Sequence, residues 1–268
     1  MQRLGIIDYF GSIANFTGKT LTIAELEARK LHHDFTELIT RAVQPALWLL
    51  IFGEVLASVR AIPTGNLPYV DFMSPGILAQ SVLFIAIFYG IAIIWERDLG
   101  IVHKFLATPT PRPALVLGKA LSAGERGLAQ AAIVYALAFG LGVHLSWNPI
   151  SLLLVVVVII LGSALFSTFS LIIACLVKTR ERFMGIGQIL TMPLFFASNA
   201  IYPISIMPHW LQVVSQVNPL TYETDALRAL MLTNGSTTYG VPFDLLFLVV
   251  ATAVNVAIGA RLYPRVVI

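Results

Sequence analysis

Charged residues are scarce in this sequence. Asp, Glu, Lys and Arg make up 12% of its 268 residues, whereas about 25% is usual in soluble globular domains. Hydrophobic residues make up 57%, and the mean hydropathy is +0.85. This composition excludes an ordinary soluble domain and predicts an integral membrane protein.

The excess of positive charge is small and dispersed. The formal net charge is +3, and the isoelectric point is near 9.1. A nucleic-acid-binding surface needs basic residues clustered on one soluble face, but here they flank apolar runs. We therefore expect no nucleic-acid partner, because membrane topology accounts for the basic residues.

Cysteine is nearly absent. The single Cys175 excludes an internal disulfide framework, and its position within an apolar run predicts a small buried side chain. No apolar run begins before Ala42, so we expect no cleaved secretory leader. The first span would then direct insertion and leave the N-terminus in the cytoplasm.

Catalytic and nucleotide-binding motifs are also missing. We find no nucleophile elbow, no metalloprotease helix and no paired intramembrane carboxylates. Gly18 and Lys19 resemble the end of a phosphate-binding loop, but Ile13 stands where that loop needs a glycine. His32 and His33 are adjacent, so they point about 100° apart on a helix and predict no metal site. We therefore predict that the chain is not an enzyme and that it binds no cofactor itself.

Long apolar runs dominate the chain. The sequence therefore predicts an all-α membrane protein in one domain, 1–268, with six transmembrane helices of roughly 20 residues or more. The runs lie at 42–60, 76–95, 114–142, 150–177, 183–202 and 243–262.

Basic residues predict the orientation. Fourteen of the 17 lysine and arginine residues lie in the N-terminal segment, at 97–119, at 178–182 or at the C-terminus. With six spans, these four regions share one side of the membrane. The positive-inside rule places that side, and both termini, in the cytoplasm.

An amphipathic helix is predicted before the first span, over 22–40. Thr22 and Glu25 have the spacing of a capping box. Apolar residues then recur on one face, next to several basic ones, which is typical of a helix lying in the membrane interface against lipid. That apolar face comprises Ile23, Leu26, Leu31, Phe35 and Leu38.

A polar island at 95–113 separates the second and third apolar runs. Leu99, Val102, Phe105 and Leu106 share one side at helical spacing, and three alternating prolines follow. The pattern predicts a short amphipathic helix over 96–110. Because both of its ends are tied to spans, such a helix is suited to receive a mechanical push from a soluble partner.

The segment 203–242 is the longest of the connections predicted to be external. Trp210, Val213, Val214 and Val217 repeat at helical spacing between two prolines, and 222–232 has the pattern of a second short helix. We predict two half-helices that dip toward the membrane and pack on protein.

Several residues within the apolar runs are candidates for a substrate path. Glu54 lies inside the first span, where it either lines such a path or pairs with a residue such as Ser58 or Arg60. Large aromatic side chains are candidates to line a path for an amphipathic cargo, although lipid and helix contacts explain them equally well. These are Trp48, Tyr89, Phe195 and Phe196.

Two segments resemble the membrane subunits of type 2 ATP-binding-cassette exporters, a group that includes bacterial drug, antibiotic-resistance and polysaccharide permeases. The first is similar to the family's signature and contains Pro208, Asn218, Pro219, Leu220, Tyr222 and Arg228. The second is similar to the family's first cytoplasmic loop and contains Glu96, Arg97, Asp98, Gly100, Phe105, Leu106, Thr108 and Pro109.

The resemblance implies a half-transporter of the bacterial inner membrane. Its 96–110 helix would be a coupling helix that rests on a separate ATPase, which holds ATP and Mg²⁺. Two permease chains, identical or paralogous, would pair with two ATPase subunits and export an amphipathic drug, natural product, lipid or glycolipid. The alternatives are an ion-gradient transporter, for which inverted repeats and clustered midplane charges are expected, and a scaffold without transport activity.

Overall fold

The computed structural model describes residues 17–20, 22, 25, 35–59, 62–65, 67–107, 110–177 and 179–263. These parts are helical and contain no strand beyond one isolated bridge between Leu145 and Leu232. The all-α class is therefore confirmed. In chain order the helices are α1 (Phe35–Leu47), α2 (Glu54–Val59), α3 (Tyr69–Asp98), α4 (Ile101–Ala107), α5 (Arg112–Gly140), α6 (Pro149–Leu176), α7 (Arg180–Phe196), α8 (His209–Val217), α9 (Pro219–Met231) and α10 (Val241–Leu262).

A π-helical segment, Trp48–Gly53, joins α1 to α2. Pro45 lies within α1, one turn before this segment. Proline lacks an N–H, so the helix bond from position 45 back to the Arg41 carbonyl is missing in the turn before the π segment. The predicted first span is thus one continuous helical rod with a wide turn in its middle.

Helix α6 is the centre of the bundle, where it packs against α3, α5 and α10. Small residues allow close approach at these crossings. Gly90 of α3 lies against Ser170 of α6, whose hydroxyl donates to the Ile87 carbonyl, and Gly127 of α5 lies against Ser163. This packing is typical of membrane helices, which associate through small residues.

Four helical segments are long and apolar enough to cross a membrane: Ala42–Val59, Tyr69–Asp98, Pro149–Leu176 and Val241–Leu262. The other two predicted spans correspond to α5 and α7. Helix α5 carries four charged residues, and α7 has 17 residues where about 20 are needed. The six-span count therefore stays a prediction, although all six predicted runs contain helices in the expected order.

Some predicted boundaries were wrong. Helix α3 begins at Tyr69, after Pro68, and continues through Pro75, so part of the expected loop at 61–75 is helical. Helix α7 ends at Phe196 although the apolar run continues to 202. There the Ser198 hydroxyl donates to the Phe195 carbonyl at 2.7 Å, which satisfies an acceptor that helix continuation would otherwise use.

The predicted cap at Thr22 was also wrong. Residues 17–20, 22 and 25 are helical, and the Thr22 hydroxyl donates to the Gly18 carbonyl at 2.9 Å. This bond to the preceding turn places Thr22 inside a helix and not at its start. Most of the predicted interfacial helix, including 26–34 with both adjacent histidines, lies outside the described residues.

Candidate functional sites

One end of the bundle, which we call the Gly100 end, comprises the α3–α4 turn, the start of α5 and the α6–α7 turn. Helix α3 continues to Asp98, and Gly100 then adopts a left-handed conformation with φ of +69°. Glycine tolerates this conformation and commonly follows a helix C-terminus. The predicted 96–110 helix is therefore divided, since only the seven residues Ile101–Ala107 form α4.

A buried ion pair joins α3 to α5 at this end. Lys119 Nζ donates to Glu96 Oε2 at 2.6 Å, and the two side chains are only 4% and 7% exposed. Glu96 was predicted to belong to the helix that contacts a partner. The structure instead places it in the interior, where it holds two long helices together.

A second, partly exposed network joins α3 to α7. Asp98 accepts from Arg97 at 3.0 Å and from Arg180 at 2.8 Å, and the Arg180 guanidinium lies 3.7 Å from the centre of the Trp95 ring. Arg97 also donates to the Val177 carbonyl at 3.4 Å. These contacts connect the end of α3 with both sides of the α6–α7 turn.

The surface of the Gly100 end is formed in part by α4. Val102 is fully buried, whereas Lys104 and Ala107 are exposed and Leu99 is 67% exposed. Leu99 precedes α4, so it does not extend the apolar side predicted with Val102. Nothing is described for the side chains of Phe105 and Leu106, and Thr108 and Pro109 lie outside the described residues.

The opposite end, which we call the His144 end, comprises loop residues 62–65, 67–68, 141–148 and 232–240. Asp71 of α3 lies 2.9 Å from His144 Nδ1, and the His144 carbonyl accepts from the Thr233 backbone at 3.0 Å. The Ser146 N–H donates to the Met231 carbonyl at 2.8 Å. The end of α9 is thereby fixed to the α5–α6 loop.

Helices α8 and α9 meet at Asn218. Its side-chain oxygen accepts from the Leu220 N–H at 3.0 Å, which caps α9, and its amide donates to the Leu194 carbonyl of α7 at 2.7 Å. Pro219 occupies the first turn of α9, where its missing N–H costs nothing. Helix α9 then packs against α3, α6 and α10, while the apolar side of α8 is exposed. Two short helices are thus present where two half-helices were predicted; α9 packs on protein as expected, whereas most of α8 does not, and their position outside the membrane stays a prediction.

Arg228 and Asp225 fix α9 within the bundle. The Arg228 guanidinium donates to the Asn199 carbonyl at 2.6 Å and lies 3.9 Å from the centre of the Phe72 ring. Asp225 accepts from the backbone N–H groups of Thr238 and Tyr239 at 2.6 and 3.1 Å. The sequence predicted a role for Arg228 but not for Asp225, because the burial of Asp225 becomes visible only in the structure.

Aromatic rings surround Tyr222. Its ring stacks on Phe247 with centres 3.9 Å apart and lies 5.2 Å from Tyr239, and its hydroxyl donates to the Gln216 carbonyl at 2.6 Å. Burial, together with the nearby Tyr222, Asp225 and Asp244, raises the pKa of Tyr239 above its ordinary value. The Tyr239 phenol therefore stays neutral at physiological pH.

Comparison with known proteins now identifies the family. The family profile described as ABC-2 type transporter matches residues 19–232, which include the Gly100 end and helices α8 and α9. The chain belongs to the ABC-2 type transporter family. It is a multi-pass membrane protein and a transmembrane permease subunit of the ABC transporter class, and the family implies an ABC ATPase as its partner.

Named relatives of this ABC-2 permease come from several lineages. A putative transport permease, ycf38, of Cyanophora paradoxa is 30% identical over 200 residues, covering 72% of this chain and 67% of the relative. The daunorubicin resistance ABC transporter permease protein DrrB1 of Streptomyces coeruleorubidus is 25% identical and covers 81% and 76%. The probable multidrug ABC transporter permease YbhR of Escherichia coli K12 is 28% identical and covers 64% and 46%. The ABC-2 permease thus spans about two thirds of the ycf38 protein and about half of YbhR.

The structure brings together only some of the predicted path residues. Trp48 lies 5.5 Å from Phe195, and Phe195 lies 5.3 Å from Phe196, between ring centres. Tyr89 belongs elsewhere, since its hydroxyl accepts from Ser122 of α5 at 3.1 Å. Glu54 is exposed on α2. The contacts therefore join three of the five residues, and a role for any of the five in a substrate path stays a prediction.

Proposed function

We propose that this ABC-2 permease is the membrane half of an ATP-driven exporter in the bacterial cytoplasmic membrane. Two permease chains, identical or paralogous, would pair with two copies of a separate ABC ATPase, which binds ATP and Mg²⁺ and hydrolyses the nucleotide. The Gly100 end and both termini would face the cytoplasm, in agreement with the distribution of basic residues.

The observation that carries the proposal is the way α4 is attached. It is a short helix between α3 and α5, and those helices are linked beside it by the Glu96–Lys119 pair. The Asp98–Arg180 pair adds α7 to the same unit. A force applied to α4 by an ATPase would therefore reach three helices of the bundle together, because packed helices and ion pairs transmit displacement as a body.

The cargo is proposed from the named relatives. One is named for daunorubicin resistance and another as a probable multidrug permease. Both names favour an amphipathic small molecule, which would cross between two permease chains. Nodulation protein J of Rhizobium leguminosarum, 25% identical over 197 residues, shows that the family's named roles extend further.

The test uses exposed residues of the Gly100 end, since replacing the buried Glu96 would damage the fold. A Leu99→Glu, Lys104→Glu double variant changes surface chemistry where both side chains are exposed. A Ser236→Glu variant at the His144 end is the matched control. We expect the double variant to lose co-purification with the ATPase encoded beside the permease and to lose ATP-driven export in proteoliposomes, and the control to retain both.

Two results would contradict the proposal. The first is unchanged ATPase binding and export in the double variant. The second is export that continues with an ATPase unable to hydrolyse ATP but stops when an ionophore collapses the ion gradient. That second result would assign the chain to ion-driven transport instead.

A further inference from the structure

A fully buried carboxyl group lies where α9 meets the middle of α6. The carboxyl belongs to Glu223 of α9, and it lies against Gly162, which is halfway along α6, Pro149–Leu176. A Cβ atom at position 162 would be 2.7 Å from Glu223 Oε2 and closer still to the rest of the carboxyl. The missing side chain at position 162 therefore makes the space that this carboxyl occupies.

Neither oxygen of the Glu223 carboxyl has a hydrogen-bond partner within the described part of the chain. The carboxylates of Asp225 and Glu96, by contrast, accept from N–H groups at 2.6 Å. Around Gly162 the backbone N–H groups of α6 are used within the helix, whereas each carbonyl keeps a second lone pair. The α6 backbone thus offers acceptors and no donors. It suits a neutral carboxyl, which donates a hydrogen bond, better than a carboxylate, which can only accept.

The basic residues of the neighbouring helices are engaged elsewhere. Helix α9 packs against α3, α6 and α10, and α6 contains no charged residue. Arg228 of α9 lies about 140° around the helix from Glu223, where it donates to a backbone carbonyl and covers an aromatic ring. Arg97 of α3 lies at the Gly100 end, and Arg261 is in the last turn of α10, beside the end of α6 and not its middle. Among the described residues of these helices, no cation compensates a charge on Glu223.

The other titratable side chains of α3, α6, α9 and α10 carry negative charge or none. The acidic ones are Asp71, Glu96, Asp98, Asp225 and Asp244. The others are the phenols of Tyr69, Tyr89 and Tyr222 and the thiol of Cys175. An ionised Glu223 would therefore add negative charge to an interior that offers it no cation. Burying an isolated carboxylate costs so much free energy that such a group takes up a proton instead.

We propose that Glu223 is a proton-binding site that holds α9 in the bundle. While α9 lies against Gly162, the carboxyl keeps its proton and donates to the α6 backbone. When that proton passes to water, the carboxylate no longer fits beside Gly162, and α9 moves outward until the carboxylate is hydrated. Release of one proton thus loosens the helix, and mild acidity returns it to its place. Both measurements below use the permease alone, so this inference stands or falls separately from ATPase coupling and export.

The first measurement is the infrared spectrum of the full chain in dodecyl maltoside micelles, with ¹³C in the side-chain carboxyls of glutamate. A neutral carboxyl and a carboxylate absorb at separate frequencies, and the label identifies the bands of glutamate. At about pH 7 an ordinary glutamate, with a pKa of about 4.3, is ionised. We expect a neutral glutamate carboxyl at that pH, which Glu223→Gln removes. The control Glu181→Gln, at an exposed carboxyl of α7, should remove carboxylate absorption only.

The unmodified chain can refute the proposal even if Glu223→Gln fails to fold. If its spectrum shows no neutral glutamate carboxyl at about pH 7, Glu223 is ionised in the folded protein and the proposal is wrong. Loss of carboxylate absorption in Glu223→Gln, in place of neutral carboxyl absorption, would overturn it equally.

The second measurement follows the position of α9 with a water-soluble maleimide. Thr224→Cys places a thiol at the next residue, which is fully buried, in a chain whose single cysteine is removed by Cys175→Ser. Ser236→Cys, on the exposed loop after α9, corrects for the effect of pH on thiol reactivity. We expect labelling at position 224, relative to position 236, to rise at least about tenfold between about pH 6 and about pH 9.

The same labelling in a chain that also carries Glu223→Gln decides whether the carboxyl is responsible. Glutamine cannot ionise, so position 224 should stay protected across the whole pH range. An equal rise with and without the carboxyl would overturn the proposal, as would labelling at position 224 that does not change with pH in either chain.

Discussion

Replacing Lys119 with methionine leaves the Glu96 carboxylate buried opposite an apolar side chain. The two charged atoms are 2.6 Å apart, and both side chains are less than a tenth exposed. Removing one partner of such a pair typically costs about 3–5 kcal/mol, because the other charge stays buried and loses its oppositely charged neighbour. We therefore expect Lys119→Met to lower the free energy of unfolding by about that amount.

The double variant Lys119→Met, Glu96→Leu distinguishes the pair from its members. A buried ion pair replaced by apolar residues of similar volume is often neutral in stability or more stable by about 1–4 kcal/mol. We expect the double variant to recover most of the stability that Lys119→Met loses. The measurement is unfolding of the purified permease in mixed micelles by increasing SDS, followed by tryptophan fluorescence.

The exposed Asp98–Arg180 pair provides the matched control. Its side chains are 38% and 35% exposed, and such pairs contribute about 0.2–1 kcal/mol. Asp98→Asn removes the charge and leaves Arg180 over Trp95. If Lys119→Met costs no more than Asp98→Asn, or if the two changes in the double variant are simply additive, the buried pair does not hold α3 to α5 as argued.

Two further predictions concern close packing around α3. Gly76→Ala would place a Cβ 2.6 Å from the Ala200 Cα, so we expect the free energy of unfolding in SDS to fall by about 1–3 kcal/mol. Gly185→Ala lies on open helix surface and should raise that free energy by about 0.5–1 kcal/mol. Equal effects of the two variants would contradict the close approach of Gly76 to Ala200. Arg228→Lys keeps the charge but loses the planar group that both donates to Asn199 and covers a ring, so export in proteoliposomes should fall while ATPase co-purification persists. Loss of co-purification instead would mean that Arg228 supports assembly.

The sequence predicted features that depend on local pattern. Helix α8 was expected because apolar residues recur at helical spacing between Pro208 and Pro219, and α9 was expected over 222–232; both helices are present, and α9 begins at Pro219. The turn at Gly100 was not predicted, since it divides the helix expected over 96–110. Where helix-breaking residues separate segments with a regular apolar pattern, hydrophobic periodicity and the breakers together predict which segments are helical.

Contacts between distant segments could not be predicted in this way. Glu223 is fully buried because α9 enters the bundle beside Gly162, which lies more than 60 residues earlier in the chain. Glu96 was expected among the residues that contact an ATPase because of the family resemblance, yet it lies in the interior beside Lys119. In both cases the environment is set by which helices cross, which hydrophobic periodicity does not encode.

The π-helical segment Trp48–Gly53 sets the direction in which the side chains of α2 point. A π turn holds about one residue more than an α turn, so it rotates α2 by roughly 100° relative to an uninterrupted helix. A helical wheel started at Ala42 therefore assigns Glu54 to the wrong azimuth. Deleting one residue from this segment should therefore restore an ordinary α-helix and leave the Glu54 side of α2 facing the same neighbours, whereas deleting one residue within α2 itself should turn the residues after it by about 100°.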